Sequence, residues 1–280
     1  MKIGIIGVQS KHAEFFGEII NRKNRFSGVR ATHIFPVDEP ERLDYVIGRT
    51  DIENVCGSAE ELIEAVDAVL VVPRFRDMHY DFARASIEAG KPVFIDKPFL
   101  PSVEQARSLI ALSRERGVPI AGGSTFCFLP EIPHWRALMA NADSVTLRYR
   151  ADPDSPFGGY SFYGSHVTDL ACALFRGSKR VYARRTGPLV TSLVEYDDRQ
   201  VILQTDADHH VAEAVYPSGE GMCVLRVNEA PCYACGLDVF MRAIETRQSM
   251  EDIERLTESV ALLNAILKSL DSGKAENVKY

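Results

Sequence analysis

Hydrophobic positions in the first part of the chain fall in short continuous runs, separated by stretches with helical spacing. Lys2–Ile6, Arg30–Phe35, Ala68–Val72, Val93–Ile95 and Val118–Ala121 read as strands, with a short one near Asn54–Val55. The run Ala68-Val-Leu-Val-Val72 is apolar throughout, the mark of a strand covered on both faces. Between these runs the 3.6-residue period predicts helices over Ser10–Asn21, Glu39–Gly48, Ala59–Ala65 and Asp77–Ala89. A further helix is opened by the serine-to-glutamine capping box Ser102-Val-Glu-Gln105 and stops at Gly117. Repeated strand–helix units with short connections imply a parallel sheet with right-handed crossovers and helices on both faces. Residues 1–123 therefore read as a Rossmann-like, doubly wound domain.

Past about residues 122–125 the period shortens to two. Val145, Leu147 and Tyr149 alternate along Asp143–Arg150, as in a half-buried strand. Strands are predicted over Arg180–Ala183, Leu189–Tyr196, Gln200–Thr205, Val211–Tyr216 and Met222–Val227, with turn signals at Asp197-Asp198 and Ser218-Gly219. Helices are expected over Ser165–Phe175, Cys235–Thr246 and Glu251–Leu270. The fold class is α/β: the doubly wound parallel sheet, then an α+β domain over residues 124–280 with an open, mainly antiparallel sheet. Alternation leaves one face of that sheet needing cover, which makes a homo-oligomer, dimer or tetramer, the expectation.

Composition narrows the function. The 280 residues are 46% hydrophobic and 25% charged, ordinary for a globular protein, and a net charge of −7 with no basic run argues against nucleic acid as a partner. Met1 leads directly into a strand, so no secretory leader is expected, and no apolar run is long enough for a bilayer. A cytoplasmic protein without a membrane partner is the expectation. The six cysteines are scattered. Cys232-Tyr-Ala-Cys235 lacks the second ligand pair of a zinc site and reads as two reduced thiols. His209-His210 falls in a strand pattern, where neighbours point to opposite faces. No metal site is expected.

The candidate chemistry gathers at the ends of strands. Pro92-Val-Phe-Ile-Asp-Lys-Pro-Phe99 is an apolar strand closed by Asp96 and Lys97. A residue before proline is held extended, so the Lys97 amine should project from the carboxyl end of the sheet, where open α/β sheets bind ligands. A turn lysine before a helix is the other reading. The first turn, Gly7-Val8-Gln9-Ser10-Lys11-His12, keeps only the first glycine of a dinucleotide fingerprint. Ser10 as a cap and Lys11 as a charge leave phosphate binding open there. Asp38 lies near the end of the second strand, where an adenosine ribose would seek an acid. Arg74 and Arg76 follow Pro73 and read as solvated arginines or phosphate contacts. His79, at the next helix start, is a cofactor contact or a capping group. In the second domain His166 and Asp169, three apart, share a helix face. The imidazole suits proton transfer to or from an alcohol, or simply bonds its own Asp169.

Taken in order, Ala68–Pro73, His79, Ala89-Gly-Lys-Pro-Val-Phe-Ile-Asp-Lys-Pro98, Gly117-Val-Pro119 and Tyr163-Gly-Ser-His-Val-Thr-Asp169 resemble the glucose–fructose oxidoreductase, inositol dehydrogenase and MocA family. The resemblance covers nearly the whole chain. It implies a dinucleotide-binding domain over 1–123 and a substrate-binding and oligomerisation domain over 124–280. It implies NAD or NADP as cofactor and hydride transfer to or from a sugar, polyol or related small hydroxy or carbonyl substrate. Lys97 would orient the reacting oxygen, His166 would handle the hydroxyl proton, and Asp169 would hold His166 or a substrate hydroxyl. Gly7, Val8, Gln9, Ser10, Lys11, His12, Asp38, Pro73, Arg74, His79, Asp96 and Lys97 would line the cofactor. Lys97 and His166 are thereby expected to face one cleft. Three departures stand out: two missing fingerprint glycines, Phe162 where catalytic members carry an aspartate four residues before the histidine, and no arginine in Ser124-Thr-Phe-Cys-Phe128. They support an alternative, a non-catalytic nucleotide- or ligand-binding member of the same fold.

Overall fold

The computed structural model describes residues 1–37, 39–219 and 221–280. They form two compact units. The first holds Met1–Leu100, Arg107–Gly123 and Tyr233–Ile253; the second holds Pro101–Ala106, Ser124–Cys232 and Glu254–Tyr280.

In the first unit, β1 (Lys2–Ile6), β2 (Arg30–Phe35), β3 (Asn54–Val55), β4 (Ala68–Val71), β5 (Val93–Ile95) and β6 (Ile120–Gly122) make an all-parallel sheet in the order β3-β2-β1-β4-β5-β6. This is the doubly wound order expected from the strand–helix alternation, with its topological switch between β1 and β4. The central strands are fully buried, as their unbroken apolar runs require. The crossovers carry α1 (His12–Gly17), α2 (Leu43–Thr50), α3 (Ala59–Ala65), α4 (His79–Glu88) and α5 (Val103–Arg116). Ser102 accepts from the Gln105 amide at 3.2 Å, so the capping serine acts as read.

Several bounds differ from expectation. α1 begins at His12, two residues later than read, and passes into a π-helical turn over Glu18–Arg22. The segment before α2 is a 3₁₀ turn, Pro40–Arg42, because proline suits only a helix's first turn. The expected second domain, residues 124–280, is not one unit: Tyr233–Ile253 packs with the first sheet. Phe240 stands edge-on to Phe94 of β5, which stands edge-on to Phe16 of α1. Arg25 pairs with Asp238 at 2.6 Å, and the Met250 amide donates to the Ile120 carbonyl at 3.0 Å.

The second unit contains α6 (Glu131–Leu138), β7 (Ser144–Arg150), α7 (Ser161–Leu174), β8 (Arg180–Thr186), β9 (Leu189–Glu195), β10 (Gln200–Asp206), β11 (Glu213–Ser218) and β12 (Gly221–Arg226). α8 (Cys232–Thr246) returns to the first unit, and α9 (Glu254–Ser272) and β13 (Glu276–Asn277) complete the second. Its sheet runs β12-β11-β7-β10-β9-β8-β13; β7 and β10 pair parallel and every other neighbour antiparallel. Along β9 and β10 every second residue is buried, the period-two pattern realised. α7 and α9 cover that face. α6 was not anticipated, because its Pro133 masks the helical period while being tolerated in a first turn. His209 and His210 lie outside any strand, in the connection from β10 to β11, where Asp206 accepts from the His209 amide at 2.7 Å. Asp206 closes β10 and also accepts from the Asp208 amide, so both histidines fall in the turn that follows and not in a strand.

Candidate functional site

The first unit places most of the sequence candidates at the carboxyl ends of β1, β4 and β5. Gly7 has φ +101°, and a Cβ there would sit 2.7 Å from the backbone nitrogen of Pro73. Both the left-handed backbone and this close approach demand glycine. A Gly7→Ala change is expected to cost roughly 2–4 kcal/mol in strain and overlap. Chemical denaturation would read it, and a stability equal to wild type would contradict the geometry.

The rest of the turn is buried except Lys11, which is exposed. Ser10 does not cap α1, whose N-cap is Lys11 with no side-chain bond. Its hydroxyl instead donates to the Val72 carbonyl at 3.2 Å and accepts from the His12 amide at 3.3 Å, tying the turn to the end of β4. Val8 and Gln9 offer their carbonyls to arginines: Arg42 Nε donates to Val8 at 2.9 Å, and Arg74 Nη2 donates to Gln9. Arg74 also pairs with Glu39 at 2.9 Å, so it is a half-buried brace rather than a solvated arginine. Arg76 is half-buried too, and burial lowers its pKa against the pull of Asp77. The expectation at Asp38 lies outside the described residues.

His12 stands where a small residue was called for. Its imidazole is buried against Tyr233 and Phe16, and its Nδ1 meets Asp96 Oδ2 at 2.5 Å. Burial would raise the Asp96 carboxyl, but the charge and hydrogen bond of His12, with Lys97 and His79 nearby, hold it below the usual carboxylate range. Asp96 Oδ1 is buried without a hydrogen-bond partner. Lys97 is 3% exposed, and the peptide bond to Pro98 is cis. Burial pushes its amine below the ordinary lysine value; Asp96 opposes that shift and Arg74 adds to it. His79 is fully buried, with Nε2 at 2.8 Å from the Pro73 carbonyl and Nδ1 at 3.0 Å from the Phe99 carbonyl. It clasps the loop after β4 to the segment carrying Lys97. Its pKa is lowered by burial, against the carbonyls and Asp96.

The second unit gathers a different cluster around α7. His166 and Asp169 share a face, and Ser124 joins them. Ser124 Oγ lies 2.8 Å from His166 Nδ1, and the Ser124 amide donates to Asp169 Oδ2 at 2.5 Å. Ser259 Oγ, from α9, donates to Asp169 Oδ1. The His166 ring stacks on Phe126 at 4.8 Å, with Tyr149 edge-on. Phe162, where an acid was looked for, is buried against Phe157 and Tyr163. Ser124, Phe126 and Ser259 were not singled out from sequence. Ser124 stands inside the very segment noted for its missing arginine, but serines carry no local mark of a partner 42 residues away. Among the described residues no disulfide joins the six cysteines. Among the described residues no group of three or more His, Cys, Asp or Glu is placed to hold a metal ion, and no helix is long and apolar enough to cross a membrane.

Two observations at the β1–β4 switch fit the first unit to a dinucleotide: the unpartnered Gln9 amide and the unpartnered Asp96 oxygen. Comparison with known proteins agrees in kind. Residues 1–123 match the profile of a family described as "Oxidoreductase family, NAD-binding Rossmann fold". An inositol 2-dehydrogenase of Cereibacter sphaeroides is 32% identical over 120 residues, 42% of this chain and 34% of that enzyme. The chain thus matches only about a third of that curated relative's length. The D-xylose 1-dehydrogenase (NADP(+)) 2 of Haloferax volcanii is 22% identical across 84% of this chain and 88% of its own. Among solved structures, scyllo-inositol dehydrogenase from Lactobacillus casei, with bound NAD(H) and scyllo-inositol, superposes with a TM-score of 0.83 at 14% identity, covering 99% of both chains. At that identity the likeness is one of fold.

Proposed function

We propose that the chain is a distant member of the Gfo/Idh/MocA oxidoreductase family, whose NAD-binding Rossmann profile matches residues 1–123, and that it is an NAD(P)-dependent oxidoreductase. It moves a hydride to or from a sugar, polyol or related small hydroxy or carbonyl compound. The observation that carries the reading is the pair of buried polar groups at these strand ends, the Gln9 amide and Asp96 Oδ1, that have no protein partner. The nicotinamide, when bound, supplies the hydride acceptor or donor. Lys97, on a segment clasped by His79, orients the reacting oxygen and stabilises its charge as an ammonium. His166 takes the hydroxyl proton during oxidation and returns it during reduction. Ser124 holds the orientation of that ring through Nδ1, and Asp169 positions Ser124 through its amide.

Isothermal calorimetry with NAD⁺ and NADP⁺ at millimolar concentration is expected to show one nucleotide per chain. No heat with either would end this reading. The placement of Phe162 favours a second one, nucleotide binding without turnover. It predicts normal calorimetry but no absorbance change at the reduced-nicotinamide band with any polyol or sugar offered.

We also propose a homo-oligomer built on the open face of the second sheet. Strand register aligns Val224, Val215, Thr146, Ile202, Leu193 and Tyr182 in one row across six strands. Val224 and Tyr182, at its ends, are 52% and 42% exposed. An apolar row of this length calls for cover. Ile202→Glu, near its centre, is expected to give a smaller species by light scattering. An unchanged mass would locate the interface elsewhere.

A further inference from the structure

The second position of the fingerprint is glycine in dinucleotide-binding turns so that backbone can approach the diphosphate. In this chain it is Gln9, whose side chain is not turned out to solvent. It is 1% exposed, and neither Nε2 nor Oε1 has a hydrogen-bond partner. Among the described residues no other buried side-chain amide is left with both atoms unpaired. The amide lies at the ends of β1 and β4: its Oε1 is 3.1 Å from the point a Gly7 Cβ would occupy, and that point is 2.7 Å from the Pro73 nitrogen.

The turn around it is held firmly. The Val8 and Gln9 carbonyls receive Arg42 and Arg74, Ser10 is tied to Val72, and His12 to Asp96. A primary amide offers two N–H donors and a carbonyl acceptor, and leaving all of them unpaired in the interior is costly. An apolar residue of the same shape would remove that cost. The group that satisfies this amide must present an acceptor and a donor within an amide's width. A phosphoryl oxygen beside a ribose hydroxyl does so.

We infer that the Gln9 side-chain amide, enclosed beside Gly7 and Pro73, anchors the diphosphate–ribose of the bound nucleotide, replacing the backbone approach that glycine permits. Nε2 donates to a phosphoryl oxygen and Oε1 accepts from a hydroxyl of the ribose on the nicotinamide side of the diphosphate, which adenosine lacks. The inference rests on the nucleotide reading above and adds to it the atoms that hold the diphosphate. It also gives Gln9 opposite effects on binding and on stability, which a merely structural residue would not show.

The test uses Gln9→Met, which keeps length and shape but removes the polar atoms, with ADP-ribose and adenosine as probes. By calorimetry the variant is expected to bind ADP-ribose at least tenfold more weakly than wild type, with adenosine affinity unchanged. The ligand-free variant is expected to melt at a higher temperature than ligand-free wild type. Equal ADP-ribose affinity, or a lower melting temperature in the ligand-free variant, overturns the assignment of Gln9 alone. Failure of the wild-type protein to bind ADP-ribose, NAD⁺ or NADP⁺ overturns this assignment and the nucleotide reading together. A second measurement needs no variant: the side-chain amide protons of Gln9 in the wild-type NMR spectrum should shift on adding ADP-ribose and stay in place on adding adenosine. If they do not move with ADP-ribose bound, the assignment falls.

Discussion

Lys97→Met is expected to lower kcat by about 10²–10³-fold, the loss usual when a preorganised charge on a reacting oxygen is removed, while nucleotide affinity changes little. Methionine fills nearly the same volume without the ammonium. Asp96 retains His12 at 2.5 Å, so the substitution does not strand the carboxylate and the fold should survive. The same residue is expected to set an alkaline limit on the proposed activity. Burial lowers the amine below the ordinary lysine value of about 10.4. The working form is the protonated one, present below the folded-state pKa. Activity should therefore fall as pH rises through a limb placed below that of an exposed lysine. Lys97→Arg keeps a charge that does not titrate in this range, so its residual activity should lack the limb. Steady-state pH profiles of the three proteins decide the matter, and a limb unmoved in Lys97→Arg would assign it to another group.

The other large effect belongs to His166. His166→Gln is expected to reduce kcat by about 10²–10⁴-fold, the range for loss of a positioned acid–base group. Glutamine retains an amide to meet the Ser124 hydroxyl, which His166 Nδ1 now meets at 2.8 Å, so packing against Phe126 and Tyr149 should be little disturbed. Ser124→Ala leaves the imidazole but removes the bond that orients it, and a smaller kcat loss with an altered pH profile is expected.

Much of the architecture was legible without coordinates. Five apolar runs and the short Asn54–Val55 segment became the six strands of the parallel sheet, because a buried strand shows its environment in its own residues. The alternation in Leu189–Tyr196 and Gln200–Thr205 likewise became β9 and β10. Ser102 announced its cap through a spacing of three. Lys97 was marked by the proline after it and the strand before it. Where the local pattern misled, a competing rule had acted: Pro133 hid α6, and the Asp206 turn ended a strand ahead of His209-His210.

The chemistry of the site was legible only as a set of residue types. That His12 would meet Asp96, 84 positions away, follows from β1 and β5 flanking β4 in one sheet, and no window of sequence contains both ends of that relation. Ser124 reaches His166 and Asp169, and Ser259 reaches Asp169 across 90 positions, for the same reason. Phe240 packing on Phe94 brings a late helix back to the first sheet. Periodicity records which face of an element is buried; it carries nothing about which distant element does the burying. Element type, strand edges and the candidate lysine and histidine were thus written along the chain. The partners that set their charge and orientation, and the enclosure that leaves the Gln9 amide unpaired, arise only when packing closes loops of forty residues and more.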